Sequence, residues 1–342
     1  MSKRVGILTG GGDCPGLNAV IRGAVRRALK NGWEVTGILE GWRGLLEGKW
    51  TDLDLEAIRG ILPRGGTILR TSRTNPRKHP DGIDIIKKNF AAAHLDALIA
   101  IGGDDTQSVS MSLHQAGLRV IGVPKTIDND LSGTDVTFGF DTAVNIATEA
   151  IDRLHTTAEA HNRVMVVEVM GRHSGWIAMA SGIAGGADVI LIPERPINLD
   201  EVTKLLKHRV ERGRCFSIVV VAEGATLPGG NVVTQSGKVD EFGHGQQGGI
   251  GALLASEIEK RTDLETRHVI LGHVQRGGSP SAFDRILATR FGVRAMELVE
   301  KGESGKMVAL HGTEIVAVGL EEALHRRLVD DKFYEIAETF FG

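Results

Sequence analysis

What most constrains this chain is a recurring order: a short apolar run, a polar loop, then an amphipathic stretch. The runs at residues 5–8, 98–101, 120–123, 164–169 and 269–271 are followed by loops at 10–16, 102–106, 124–130, 171–175 and 273–279. Further apolar runs of strand length occupy 189–192, 218–221 and 308–310. Leu17, Val20, Ile21, Ala24, Val25, Ala28 and Leu29 recur at helical spacing. Other helices are expected near 109–116, 142–154, 176–184, 200–212, 250–261 and 282–300. Uniformly apolar strands alternating with helices predict an α/β fold with mainly parallel sheets covered on both faces. In such open sheets the ligand crevice lies beyond the carboxyl ends of the strands, so the five loops are expected to meet at one site.

Composition narrows the function. At 342 residues the chain has room for about two domains, and the polar segment 132–137 before a fresh helix suggests a boundary near residue 140. Forty basic against forty-three acidic side chains exclude a strongly basic nucleic-acid binder or a polybasic membrane partner. Ten Phe, four Trp and one Tyr are too few for a base-stacking platform. Cys14 and Cys215 alone build no disulfide framework, and no apolar run approaches the length of a membrane span. A cytoplasmic enzyme is therefore expected, and forty-five glycines suit turns that bring backbone close to a ligand.

The loops hold the candidate chemistry. Gly10-Gly11-Gly12-Asp13-Cys14-Pro15-Gly16 lies between a strand and a helix, where free N–H groups favour a phosphate, or where a tight turn simply needs glycine. It matches neither the dinucleotide fingerprint nor the Walker A loop. In Gly102-Gly103-Asp104-Asp105-Thr106, two carboxylates at a helix start either satisfy the dipole or hold Mg²⁺ against phosphate oxygens. Pro124-Lys125-Thr126-Ile127-Asp128-Asn129-Asp130 offers a general base with a partner carboxylate, or else an Asx-rich turn. As a calcium loop it fails, since its twelfth position is Gly139. Arg73, Arg163, Arg172, Arg267 and Arg276, the last near His273, are either phosphate-facing or solvated.

In this order the segments 8–18, 101–106, 124–130, 167–172 (VEVMGR), 222–223 and 271–279 (LGHVQRGGS) resemble the phosphofructokinase family, over about residues 3 to 325. The resemblance implies two Rossmann-like, three-layer α/β domains with the active site in the cleft between them. It places the phosphoryl-donor domain at 1–139 with about 275–325, and the fructose-6-phosphate domain at 140–274 with about 326–342. The implied reaction phosphorylates the 1-hydroxyl of fructose 6-phosphate with Mg²⁺. By motif, Asp128 is the implied base, with Thr126, Asp130 and Arg172 beside it, and Asp104 the magnesium carboxylate. Gly11, Arg73, Gly103, Asp105, Thr106 and Lys125 would face the donor. Met170, Gly171, Arg172, Glu223, His273 and Arg276, with Thr126 and Asp128, would contact the sugar phosphate. Arg163 and Arg267 match arginines that reach a neighbouring subunit's site, implying a homo-oligomer, dimer or tetramer. Arg22 and Arg26 match effector-contacting arginines, whereas 212–216 departs from the lysine-rich effector loop, and the stretch from about Glu321 is assigned no chemistry.

The family divides by donor. ATP-using bacterial members usually read GGDG and PGTIDND, where this chain has Asp105 and Lys125 in place of glycines, like the pyrophosphate-dependent members. Two like charges about 4 Å apart repel by about 4 kcal/mol at an effective dielectric near 20, roughly a thousandfold in affinity. A carboxylate there opposes a nucleotide α-phosphate, while the lysine suits a short diphosphate. Pyrophosphate is the expected donor, making the reaction reversible between glycolysis and gluconeogenesis, and ATP is the alternative.

Overall fold

The computed structural model describes residues 3–229, 234–239, 241–243 and 245–342. From the N terminus run β1 (Arg4–Thr9), α1 (Leu17–Lys30), β2 (Glu34–Ile38), α2 (Trp42–Glu47) and β3 (Trp50–Asp52). Next come α3 (Gly82–Ala92), β4 (Ala97–Gly102), α4 (Asp104–Gln115), β5 (Val120–Pro124) and the long α5 (Phe140–His161). The chain continues through β6 (Val164–Val169), α6 (Trp176–Ala184), β7 (Val189–Leu191), α7 (Leu199–Glu211) and β8 (Ser217–Ala222). It ends with β9 (Thr234–Val239), β10 (Gly245–Gln247), α8 (Ile250–Thr262), β11 (Thr266–Ile270), α9 (Ala282–Glu300), β12 (Lys306–His311), β13 (Glu314–Gly319) and α10 (Asp331–Glu338).

Two sheets carry the molecule. The larger has the order β13-β12-β5-β4-β1-β2-β3, parallel at its centre, with β13 and β3 added antiparallel at the edges. The smaller, β11-β6-β8-β7, is parallel throughout. Alternate residues of each central strand serve opposite faces. Val5, Ile7, Ile99 and Ile101 pack with α1 and α9, while Leu8, Leu98 and Ala100 pack with Trp42, Ile86, Val109 and Leu113 of α2, α3 and α4. In the smaller sheet Val167 and Val169 join Ile151 of α5 and Ile177 of α6, and Val166 and Val219 join Leu206 and Leu254 of α7 and α8. This is the α/β architecture of mainly parallel sheets covered on both faces that the alternation predicts, in the Rossmann-like, three-layer form that the resemblance implies. One buried cluster, from Val5 and Phe291 to Val167 and Ile218, runs through both sheets.

Helices α1 and α9 touch backbone to backbone. A Cβ on Gly292 would lie 2.2 Å from the Val20 carbonyl oxygen, and one on Gly23 would lie 2.7 Å from that of Thr289. Alanine favours a helix over glycine by about 1 kcal/mol, yet overpacking here dominates. Gly292→Ala is expected to lower stability by about 1–3 kcal/mol in urea titration. An unchanged or raised midpoint would mean the helices have room to part.

The elements depart from expectation at their ends. Helix α4 starts at Asp104, a turn and more before the expected 109, because its first turn is polar. Helix α5 extends beyond 142–154 in both directions. Strand β11 begins at Thr266 with exposed Arg267 and His268, since a sheet edge needs no apolar face there. Strands β2, β3, β9, β10 and β13 and helices α2, α3 and α10 were not foreseen. Among the described residues no helix is long and apolar enough to cross a membrane.

Candidate active site

The turn after β1 is shaped by glycine: Gly11 has φ 77° and Gly16, at the head of α1, φ 110°. A Cβ on Gly10 would meet Thr106 Oγ1 at 2.6 Å, so this turn lies directly against the start of α4. Gly11 N–H donates to the Ser72 carbonyl at 3.3 Å, and the Thr71 hydroxyl donates to the Gly11 carbonyl at 2.7 Å. Lys125 Nζ donates to the Gly12 carbonyl at 2.5 Å, and Arg276 Nη1 to that of Asp13 at 3.3 Å. Four segments are thereby tied to one turn.

The loop after β5 has its own internal logic. Asn129 adopts the left-handed conformation, φ 53°, which asparagine tolerates, and its Oδ1 accepts the Thr137 N–H at 3.0 Å. Thr137 Oγ1 donates to the Thr126 carbonyl at 2.8 Å, and Asp128 N–H donates to Thr126 Oγ1 at 3.0 Å. With Ile127 buried inward, Asp128 and Asp130 face the cleft. Asp104 and Asp105 fill the first turn of α4, where the helix dipole favours negative charge, and Asp105 N–H donates to Asp104 Oδ1 at 2.9 Å.

All five loops reach the same cleft. From the donor side of the expectation it is lined by Gly11, Arg73, Gly103, Asp105, Thr106 and Lys125. Asp104, Thr126, Asp128, Asp130, Arg172 and Arg276 complete the expected set within it. Burial pushes the Asp128 carboxyl up, against the pull of Arg276, Lys125 and Arg172. Asp130 is pushed up to about 7 by burial, then by Asp128 and Asp104. Burial draws the Lys125 ammonium down, with Arg276 adding to the effect. Asp128 Oδ1 and Arg276 Nε are buried with no hydrogen-bond partner among the described residues. Opposed charges on mobile-proton and fixed-cation groups, gathered at strand ends, equip a cleft to bind and align phosphoryl groups. No group of three or more His, Cys, Asp or Glu among the described residues is arranged to hold a metal alone. Mg²⁺ needs only one or two carboxylates when phosphate and water oxygens supply the rest.

Six expected residues do not line the cleft. Met170 and Gly171 follow β6, and Met170 N–H donates to Gln275 Oε1 at 3.3 Å. His273 is exposed on the 3₁₀ turn Gly272–Arg276. Arg163 and Arg267 sit at the starts of β6 and β11, the far ends of those strands, and both pair with Glu265. Glu223 follows β8, its N–H donating to the Val169 carbonyl at 2.9 Å. Trp42, Ser72, His173 and Phe242 line the cleft unforeseen. Only His173 carried a signal, its place between Arg172 and Ser174 in an expected loop.

Glu223 is pushed from an ordinary 4.5 up to about 7, first by burial and then by Asp128 and Glu168. A raised carboxyl pKa gives stability that is full below the unfolded value and lost as pH rises through the folded one. The ceiling for this shift is about 3 kcal/mol, less what water screening removes. Glu223→Gln is therefore expected to stabilise the unliganded protein by about 1–3 kcal/mol at pH 8 and negligibly at pH 4. Denaturant midpoints at the two pH values check this, and equal gains at both would refute the charge argument.

Acidic, cationic and glycine-bearing loops thus meet at the strand ends of a parallel α/β scaffold. The chain belongs to the phosphofructokinase family, whose sequence model, described as "Phosphofructokinase", matches residues 4–299. It is 58% identical over 342 residues to pyrophosphate–fructose 6-phosphate 1-phosphotransferase of Streptomyces coelicolor, covering 99% of this chain and 100% of that protein. It is also 53% identical over 337 residues to ATP-dependent 6-phosphofructokinase 3 of the same organism, covering 98% and 99%. Pichia pastoris phosphofructokinase in the T-state superposes with a TM-score of 0.85 at 33% identity, over 99% of this chain and 36% of the longer yeast chain. The fold also matches pyrophosphate-dependent phosphofructokinase from Marinobacter aquaeolei, with a TM-score of 0.83 at 24% identity, over 96% and 86%.

Proposed function

We propose that this phosphofructokinase transfers a phosphoryl group from inorganic pyrophosphate to the 1-hydroxyl of fructose 6-phosphate, giving fructose 1,6-bisphosphate and phosphate. The observation that carries the donor is the presence of Asp105 and Lys125 in one cleft. The carboxylate at the second position of α4 opposes a nucleotide's extra phosphate, and the buried ammonium offsets the charge of a diphosphate. Relatives bearing the pyrophosphate name at 57–58% identity support the same reading. ATP-dependent relatives at 52–54% identity favour the alternative, an ATP-dependent 6-phosphofructokinase.

In the proposed reaction Asp128 accepts the 1-hydroxyl proton, the freed oxygen bonds to the donor's terminal phosphorus, and the phosphoanhydride bond breaks to release orthophosphate. Thr126 holds the backbone of Asp128, and Asp130 shares its field. Arg172 stabilises charge on the transferring group. Gly11, Arg73, Gly103, Thr106 and Lys125 hold the donor, and Met170, Gly171, Glu223, His273 and Arg276 the sugar phosphate. After burial, Asp104 adds to the upward push on Asp128, and Asp128 and Asp104 to that on Asp130, while Asp128 Oδ1 has no partner among the described residues, an oxygen-rich setting that a hard cation fits. Asp104 would hold Mg²⁺, which when bound neutralises phosphate oxygens. Arg163 and Arg267, remote from their own cleft, would complete a neighbour's site in a dimer or tetramer. Residues 1–139 with about 275–325 would form the donor domain, and 140–274 with about 326–342 the sugar-phosphate domain. Parallel turnover measurements with Mg²⁺ and each donor test the proposal. Turnover with pyrophosphate and little with ATP is expected, and preference for ATP would replace it with the alternative.

A further inference from the structure

The C-terminal segment touches both loops that carry the reacting groups of the proposed function. Leu131 and Arg326 form an antiparallel bridge, and Arg327 N–H donates to the Asp130 carbonyl at 2.8 Å. The Arg327 carbonyl accepts from Trp176 Nε1 at 3.0 Å, and its guanidinium stacks over that indole, 4.1 Å from the centroid. Two residues further, Val329 N–H donates to Glu194 Oε1 at 3.0 Å. The same carboxylate accepts the Gly175 N–H, at 3.0 and 3.1 Å to its two oxygens. The Ser174 hydroxyl then donates to the Asp128 carbonyl at 3.2 Å. The path is a closed ring: from the 128–130 loop to the strap at 326–329, through Glu194 to the 174–176 segment, and back to Asp128.

The ring is pinned from outside. Phe333 of α10 stacks on Trp176 with centroids 5.9 Å apart, and Tyr334 Oη donates to the Ile190 carbonyl at 3.1 Å. A Cβ on Gly175 would fall 2.2 Å from Ile192 Cγ2, so only glycine lets this backbone reach Glu194. Arg172, two residues before Ser174, lines the cleft opposite the loop of Asp128. We propose that Glu194, acting through the strap at 326–329, is a positioning residue that fixes the 128–130 loop against the segment bearing Arg172. This rests on the reading that Asp128 and Arg172 serve one phosphoryl transfer. Misplacing reacting groups by about 1 Å costs up to a hundredfold in rate, while ground-state binding suffers less.

Steady-state kinetics of the full-length protein with fructose 6-phosphate and the donor that wild type uses test this. Glu194→Ala is expected to lower kcat about tenfold or more with KM for the sugar phosphate within about threefold. Glu194→Gln keeps an oxygen able to accept both N–H groups and should recover most of the rate. In an Asp128→Asn background Glu194→Ala should have little further effect, because it acts through that carboxylate. Ser174→Ala, which removes only the link to Asp128, decides the matter should Glu194→Ala not fold, and the same kcat-selective loss is expected. Unchanged kcat in the folded Ala variants, or equal losses with and without Asp128, would overturn the proposal. Full activity of Asp128→Asn alone would instead refute the assignment of the base.

Discussion

Asp128→Asn is expected to lower kcat by about a hundredfold or more while KM for fructose 6-phosphate moves by no more than about threefold. Asparagine keeps the volume and the backbone N–H contact to Thr126 but accepts no proton. Arg276, Lys125 and Arg172 all act on this carboxylate in the free protein, so the substitution also removes a charge from the field of the cleft. Because burial raises its pKa, kcat/KM should fall as pH drops through a value above the ordinary carboxylate range, and that acid limb should be lost in the variant. Stopped or coupled assays of product formation across pH would check both. Near-normal turnover by Asp128→Asn would remove this residue from the chemistry.

Asp105→Gly should raise kcat/KM for ATP by at least tenfold, with about a thousandfold as the electrostatic ceiling, and weaken use of pyrophosphate little. The substitution deletes a negative charge from the first turn of α4, where it interacts favourably with the helix dipole. Loss of that interaction and of helix propensity should together lower stability by about 1–2 kcal/mol. Asp105→Ser, also neutral but a better helix residue, separates the two effects: donor choice should follow charge, and stability should follow conformational freedom. If neither variant gains ATP turnover, the carboxylate is not what excludes nucleotide.

Much of this was legible in the chain because buried parallel strands are apolar on both faces, leaving 98–101 and, apart from the buried Glu168, 164–169 unmistakable. The loops after them were marked by glycines and charges, and the structure gathers Gly11, Asp104, Asp128, Arg172 and Arg276 in one cleft. What stayed hidden was what periodicity does not encode. Helix α2 is six residues long, too short to display a repeat, so Trp42 was missed. Ser72 lies in a long irregular stretch whose place is set by contacts to Gly11 and Glu40. The two acids at the head of α4 were legible as a helix start, whereas the apolar pattern becomes visible only from 109 because the first turn serves the dipole and the cleft rather than the core. The tail beyond Glu321 carried no motif, since its link to the 128–130 loop is made by the Arg327 amide, which any sequence supplies, and the partners of Arg327, Phe333 and Tyr334 lie more than a hundred residues away.

The apolar cluster that passes from one sheet into the other ties the fate of the two halves together. Excising either would strand a raw oily surface in water, so the enzyme should melt in a single step rather than shed a lobe. Cleft residues borne on separate sheets thus inherit one shared rigidity, and a lesion deep in either half should be felt at the cleft as lost protein rather than as altered chemistry.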